Sequence, residues 1–390
     1  MPNSPEHIRT SLAAAMTLDL RDGLFWRGAR LYCINLLLVY DKPCAGNCAY
    51  CGLHRQRSSP LHAPHSAREL ERPDKTFIRV DWPIFRTDEV VKRTVELEEE
   101  RCLQRVCISM LTRRECVDDT ISVIEMYRKH TDIPISVLAS PMVTTKSDLE
   151  RFKLAGADKL GVAVDAATPQ LFEIHRGKSR GAPHRWERYW EFFREGIDVF
   201  GRGNVGSHLI VGLGETEREM VAAIQKTKDL GGETHLFSFY PEEGSDLEHL
   251  TPPPIDQYRR IQIARFLIDE GLSDIHRMTF DEAGRLVDFG LPERELDEII
   301  DSGYPFMTSG CTGRDGRTVA CNRPFGNSRP GPGLRNYPFK PNSNDVKLIR
   351  EQMRTGKEDP YNSSQPKSPG KNTHIPHRKI KGEKIMENRC

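Results

Sequence analysis

Three cysteines stand close together in the segment KPCAGNCAYCGL, at positions 44, 48 and 51, spaced CxxxCxxC. Three thiolates on one short loop can hold three corners of a cubane, and soft sulfur donors suit iron-sulfur chemistry. The missing fourth ligand is informative, because an iron without a protein ligand stays open to a small chelating cosubstrate, as a catalytic zinc keeps a free position. A zinc site or three unrelated thiols would use the same residues. Zinc sites, however, normally carry a second paired ligand set.

A second group of reactive residues lies near the C-terminus, where the glycine-rich block YPFMTSGCTGRDGRTVACNRPFGNSRPGPGLRNYPF carries Cys311 and Cys321 beside Ser309 and Arg323. Glycines let such a loop fold tightly around an inorganic core. A disulfide is one alternative, but ten cysteines without an export signal read as reduced thiols. A zinc half-site is another, and no C-x-x-C or histidine pair completes it.

The elements that must position these loops are marked by hydrophobic pattern. Apolar runs at 31–40, 102–110, 133–139, 158–164, 204–213 and 233–240 read as strands buried on both faces. Helical patterns fall at 116–130, 147–155, 184–200, 216–230 and 255–271, with Thr216 and Asp256 as expected N-caps. Strands alternating with helices predict βαβ units around a parallel sheet, giving an α/β fold. Six such units suggest a partial (β/α)6 TIM-like barrel, and an open doubly wound sheet would give the same local signal. The predicted organisation is an N-terminal extension (1–30), the (β/α)6 core (31–300), a C-terminal irregular cysteine-containing segment (301–340) and a disordered tail (341–390). The basic, Ser/Pro-containing connection at 52–75 is long enough to be functional.

The cysteine motif, including the aromatic Tyr50 before its last cysteine, resembles that of radical S-adenosylmethionine (SAM) enzymes. That resemblance implies a 4Fe-4S cluster on Cys44, Cys48 and Cys51, with SAM on the open iron as source of a 5'-deoxyadenosyl radical. The segment Ile210–Thr216, IVGLGET, is similar to the strand motif that packs beside the SAM adenine in the biotin synthase branch, with Gly212 and Gly214 allowing close backbone approach. Asp165 stands where relatives carry an acid that bonds the SAM ribose, and Arg176, Arg180 and Arg185 offer a fork for the SAM carboxylate, with Arg180 favoured. The Gly-Gly-Glu pattern that often holds the SAM amine is replaced by CISMLTR, so backbone near Ser109 and Met110 is expected to serve.

The TSGC…CNRP block resembles a component of the archaeal-type two-component lipoyl synthase, and the matching motifs cover about residues 31–340. The resemblance implies a sulfurtransferase of lipoate biosynthesis: a sacrificial second iron-sulfur cluster gives sulfur to C6 or C8 of an octanoyl chain on a lipoyl carrier protein. A related partner component and an electron donor such as ferredoxin or flavodoxin go with it. For that auxiliary cluster Cys33, early in the first strand, is expected to reach the barrel floor and join Cys311 and Cys321, with Cys107 in reserve. The alternative for Cys33 and Cys107 is a small buried apolar side chain. Cys102, Cys116 and Cys390 read as structural or incidental. Biotin synthase itself fits less well, since of its strand cysteines only Cys107 matches, Val137 stands near another, and Ala163 replaces a substrate-binding Asn.

Two further readings remain: a biotin synthase-like mutase, lyase or methyltransferase acting on a small metabolite, and an iron-sulfur or zinc scaffold. Composition narrows the partners. With 57 Lys plus Arg against 56 Asp plus Glu, the chain lacks the basic excess of a nucleic-acid binder. No run is long and apolar enough to span a bilayer and the start has no signal-peptide pattern, so a cytoplasmic location without membrane contact is expected.

Overall fold

The computed structural model describes residues 2–53, 80–324 and 334–357. The chain begins with β1 (His7–Thr10) and α1 (Leu12–Thr17), then runs through β2 (Cys33–Leu38) and β3 (Ile84–Arg86). Helices and strands then alternate as α2 (Thr87–Leu97), β4 (Arg105–Ser109), α3 (Cys116–Arg128), β5 (Ile135–Ala139), α4 (Lys146–Ala155) and β6 (Lys159–Asp165). Two helices, α5 (Pro169–Arg176) and α6 (Trp186–Phe200), precede β7 (Val205–Val211), α7 (Glu217–Asp229), β8 (Glu233–Ser238) and α8 (Ile255–Asp269). A hairpin of β9 (Thr279–Phe280) and β10 (Leu286–Asp288), then α9 (Glu293–Ser302) and α10 (Ser343–Thr355), follow.

All six expected strands exist, and they form the parallel run β2-β4-β5-β6-β7-β8. The N-terminal segment adds β1, antiparallel to β2, and β3 pairs antiparallel with β1. The expected extension at 1–30 is therefore corrected: His7–Thr10 are part of the main sheet. The α/β fold fits the partial (β/α)6 barrel, and its edge strands β3 and β8 do not pair with each other among the described residues.

Alternation along each strand divides the sheet into two faces. Ile34, Leu36, Leu38, Val106, Ile108, Leu160, Val162, Leu209 and Leu236 enter the core that also takes the helices. The opposite positions, among them Asn35, Cys107, Ser136, Asp165, His208 and His235, line an internal cavity. The strands are buried on both faces as expected, and the inner face sets polar side chains among apolar ones such as Leu37, Leu138, Ile210 and Phe237.

Local signals explain most helix starts. Thr216 caps α7 through a reciprocal box with Glu219, as predicted. Asp256 is not a cap: Pro254 precedes α8, and Asp256 lies in the first turn, bonded to Arg260 at 2.8 Å. Thr168 and Pro169 start α5, an element the hydrophobic pattern did not mark.

The tail expected at 341–390 is also corrected. Asn342 and Asp345 form a capping box for α10, whose Val346, Ile349 and Gln352 are buried. Residues 358–390, with Cys390, and the 52–75 connection beyond Leu53 lie outside the described residues. No helix among the described residues is long and apolar enough to cross a membrane.

Candidate active site

β2 delivers the chain to the cysteine loop, and the loop is fixed by hydrogen bonds from three directions. Ala45 N donates to Thr112 O at 3.3 Å and Ala49 N to His175 O at 2.8 Å, while Asn47 Nδ2 donates to Arg180 O at 2.7 Å. The sulfurs accept in turn: Cys44 Sγ from the N–H of Gly46 (3.4 Å) and Thr112 (3.3 Å), and Cys51 Sγ from Leu53 N (3.4 Å). Burial pushes the Cys48 and Cys51 thiols up, so their thiolates need a positive partner, which iron provides. Cys44, Cys48 and Cys51 all line one cavity of about 280 Å³.

Gly46 faces this cavity for a steric reason. A Cβ there would lie 2.8 Å from His184 Nε2 and 3.3 Å from Cys44 Sγ. Among the described residues no three His, Cys, Asp or Glu side chains converge tightly enough for a single metal ion. Three cysteine sulfurs lining one cavity are the soft donor set that an iron-sulfur cluster takes, so the residues present fit that group.

Beside the loop runs a buried chain of polar groups. Tyr50 donates its hydroxyl to Asp165 Oδ2 at 2.5 Å, and Arg176 Nη1 reaches the same oxygen at 2.6 Å. Arg176 Nη2 donates to Tyr189 Oη at 2.8 Å, and Tyr189 Oη lies 2.9 Å from His184 Nδ1. Asp165 has φ +65°, a left-handed conformation at a β-bulge against β7. Burial raises its carboxyl, with Arg176 opposing, and burial with Arg176 pulls His184 down to about 2.

The remaining expected SAM-site residues fall differently. Ile210 lines the cavity, as do Ser109 and Met110. Gly212 and Gly214 do not line it; they have φ +105° and +115°, and a Cβ on Gly212 would stand 2.7 Å from Pro253 Cδ. These glycines are required by backbone conformation and packing. Arg180 is corrected: it pairs with Asp246 and donates to Asn47 O at 3.1 Å, clamping the cysteine loop from outside the cavity, while Arg176 lies on the cavity wall.

At the opposite end of the strands a second set of thiols gathers. Cys33, Cys311 and Cys321 form one buried cluster with Cys107 packed against it. Asn35 Nδ2 lies 3.7 Å from Cys33 Sγ and 3.5 Å from Cys321 Sγ. The bond from Cys33 holds the Cys321 thiol below its usual range, with Arg323, Asn35 and Arg105 acting in the same direction against burial. Burial pushes Cys33 up, and Cys311 up to about 11. Cys107, Cys311 and Cys321 line the same cavity as the cysteine loop. The sequence reading held Cys107 in reserve and missed His184, Tyr189 and Asn35. Only the alternating register of β2 could have signalled Asn35.

Residues 43–227 match the Radical SAM superfamily. No curated protein matches the chain at a significant level. Among solved structures, HydG, a maturase of the [FeFe]-hydrogenase, is 15% identical with TM-score 0.45, covering 66% of this chain and 53% of that one. HydG from Carboxydothermus hydrogenoformans is 16% identical with TM-score 0.43, at 66% and 56% coverage. Elp3 of Methanocaldococcus infernus is 12% identical with TM-score 0.35, at 45% and 48%. The chain thus spans about half the length of the solved structures it matches. The cysteine loop, the buried Asp165–Arg176 pair and strands β4 to β7 all fall within residues 43–227, the stretch that matches the Radical SAM superfamily.

Proposed function

We propose that this chain is a radical SAM sulfurtransferase that inserts sulfur into an octanoyl chain on a lipoyl carrier protein. Cys44, Cys48 and Cys51 would hold the 4Fe-4S cluster, and Asp165, Ile210 and Arg176 would contact SAM. Bound there, the cluster and SAM supply the radical chemistry that an unactivated C–H bond requires. The chain's own task is to position: Tyr50 and Arg176 fix the Asp165 carboxylate, and Arg180 holds the loop backbone at Asn47.

The observation that carries this reading is one cavity with the cysteine loop at one end and Cys107, Cys311 and Cys321 at the other, Cys33 packed behind them. A substrate bound between them would meet the hydrogen-abstracting end and a second iron-sulfur cluster, the expected sulfur donor, at once. Octanoylated carrier protein, a related partner component and ferredoxin or flavodoxin are the proposed partners, in the cytoplasm.

The test is anaerobic reconstitution of wild type, Cys311→Ala and Cys321→Ala. All three should cleave SAM after reduction, and only wild type should put sulfur into an octanoyl-lysine peptide. Sulfur insertion by both variants, or iron and sulfide for one cluster only in wild type, rejects the reading. Asn35, Ser136, His208 and His235, polar side chains within a mainly apolar lining, favour the second reading, a small metabolite with polar groups as substrate. That reading predicts a single cluster and no activity on the octanoyl peptide.

A further inference from the structure

His184 is 1% exposed and lines the cavity beside the cysteine loop. One of its ring nitrogens is accounted for: Nδ1 lies 2.9 Å from Tyr189 Oη. Tyr189 Oη already accepts from Arg176 Nη2 at 2.8 Å, and a guanidinium can only donate. The tyrosine hydroxyl is buried, so its own proton is best spent on His184 Nδ1, which makes Nδ1 an acceptor. The proton of a neutral imidazole then resides on Nε2. Nε2 has no hydrogen-bond partner among the described residues. It faces the gap left by the missing side chain of Gly46, a gap whose other walls are Cys44 Sγ and Thr112 Oγ1.

Nε2 opens on the cavity, and a donor there without a protein acceptor normally meets a ligand or water. Cys44 Sγ, a wall of this gap, is an expected cluster ligand, so an acceptor would arrive here with the cluster. We propose that His184 touches the cofactor assembly, donating its Nε2–H to an anionic acceptor there, a cluster sulfur or the SAM carboxylate, with Tyr189 and Arg176 as the positioning residues that fix its tautomer. The proposal rests on the radical SAM site at Cys44, Cys48 and Cys51 and is independent of sulfur insertion.

The first test uses the full chain without iron, labelled with ¹⁵N-histidine and compared with His184→Gln to assign the signal. Nδ1 should show the unprotonated shift and Nε2 the protonated one, and in Tyr189→Phe this preference should be lost. A proton on Nδ1 in the unsubstituted chain overturns the proposal, whether or not the cluster can be assembled.

The second test uses reconstituted protein of matched iron content. If the acceptor is a cluster sulfur, His184→Phe shifts the midpoint potential, measured without SAM, to more negative values, because a donor favours the more negative reduced state. His184→Gln, which keeps an N–H donor, restores part of the shift. If the acceptor is the SAM carboxylate, the potential without SAM is unchanged and SAM binds about tenfold more weakly to His184→Phe, as loss of a charge-assisted bond implies. Unchanged potential together with unchanged SAM affinity overturns the proposal.

Discussion

Asp165 carries opposing demands in one side chain. Its backbone is left-handed, its carboxyl is buried, and a single oxygen accepts from both Tyr50 and Arg176. With side chains only 5% and 12% exposed, Arg176 and Asp165 are a pair that cannot be broken cheaply. Arg176→Met would leave a buried carboxylate without its cation, at a cost of about 3–5 kcal/mol. Adding Asp165→Asn should recover part of that loss, so the double variant will unfold at higher urea than additivity requires. Additive effects in urea titrations would show that the pair is not energetically coupled. Glu215 offers a pH signature. Burial raises its carboxyl to about 7, although Gly212 N and Leu213 N donate to it. The folded chain therefore binds this proton more tightly than the unfolded chain, so stability is full below the ordinary carboxylate range and declines as pH rises toward about 7. Urea midpoints at about pH 5 and about pH 8 should differ less in Glu215→Gln than in wild type.

Elements obey the same accounting of space and conformation. Gly212, at the end of β7, has φ +105° and no room for a Cβ against Pro253, whereas Gly28 has φ +67° and nothing within 4 Å. An alanine at Gly28 meets only the left-handed penalty of about 1–2 kcal/mol. At Gly212 overpacking adds to it, so Gly212→Ala should lower the melting temperature more than Gly28→Ala, and equal losses would place Pro253 out of play. The glycine pair was legible in the sequence, but its reason was not, since the contact with Pro253 spans a whole helical unit. The central strands were legible because their apolar runs are long. β1 and β3, with four and three residues, carry too little pattern, and α10 hides its short buried face among charged residues. The cysteine loop was legible because its chemistry is local in sequence. His184 was not, because its meaning comes from Tyr189, Arg176 and Gly46 meeting in space.

On the scale of the molecule, the C-terminal segment closes the N-terminal ends of the strands. Thr312 O accepts from the buried Arg105 Nε at 2.6 Å, and Ser309 Oγ accepts from Leu236 N at 2.8 Å. Arg27 and Asp345 form a two-pronged pair at 2.7 and 2.8 Å, tying the N-terminal segment to α10. Truncation before Cys311 would remove Thr312 O from Arg105 and Leu334 O and Arg335 O from Arg259, so it cannot isolate the role of the thiols. Asn322, next to Cys321, offers a finer probe. Its Oδ1 accepts from Tyr32 N at 3.3 Å, and its Nδ2 donates to Arg30 O at 2.6 Å and Pro338 O at 2.9 Å. It joins the strand that brings Cys33 to the loop that brings Cys321. Asn322→Ala removes three bonds to part-buried backbone groups, at about 1 kcal/mol each, and frees the loop to move away from Cys33. If the second set of thiols holds a cluster, the reconstituted variant should lose about half its iron while SAM cleavage persists, because the distant cysteine loop keeps its own bonds to Thr112, His175 and Arg180. Full iron retention in a variant of measurably lower stability would separate the closure of the fold from metal binding at that end.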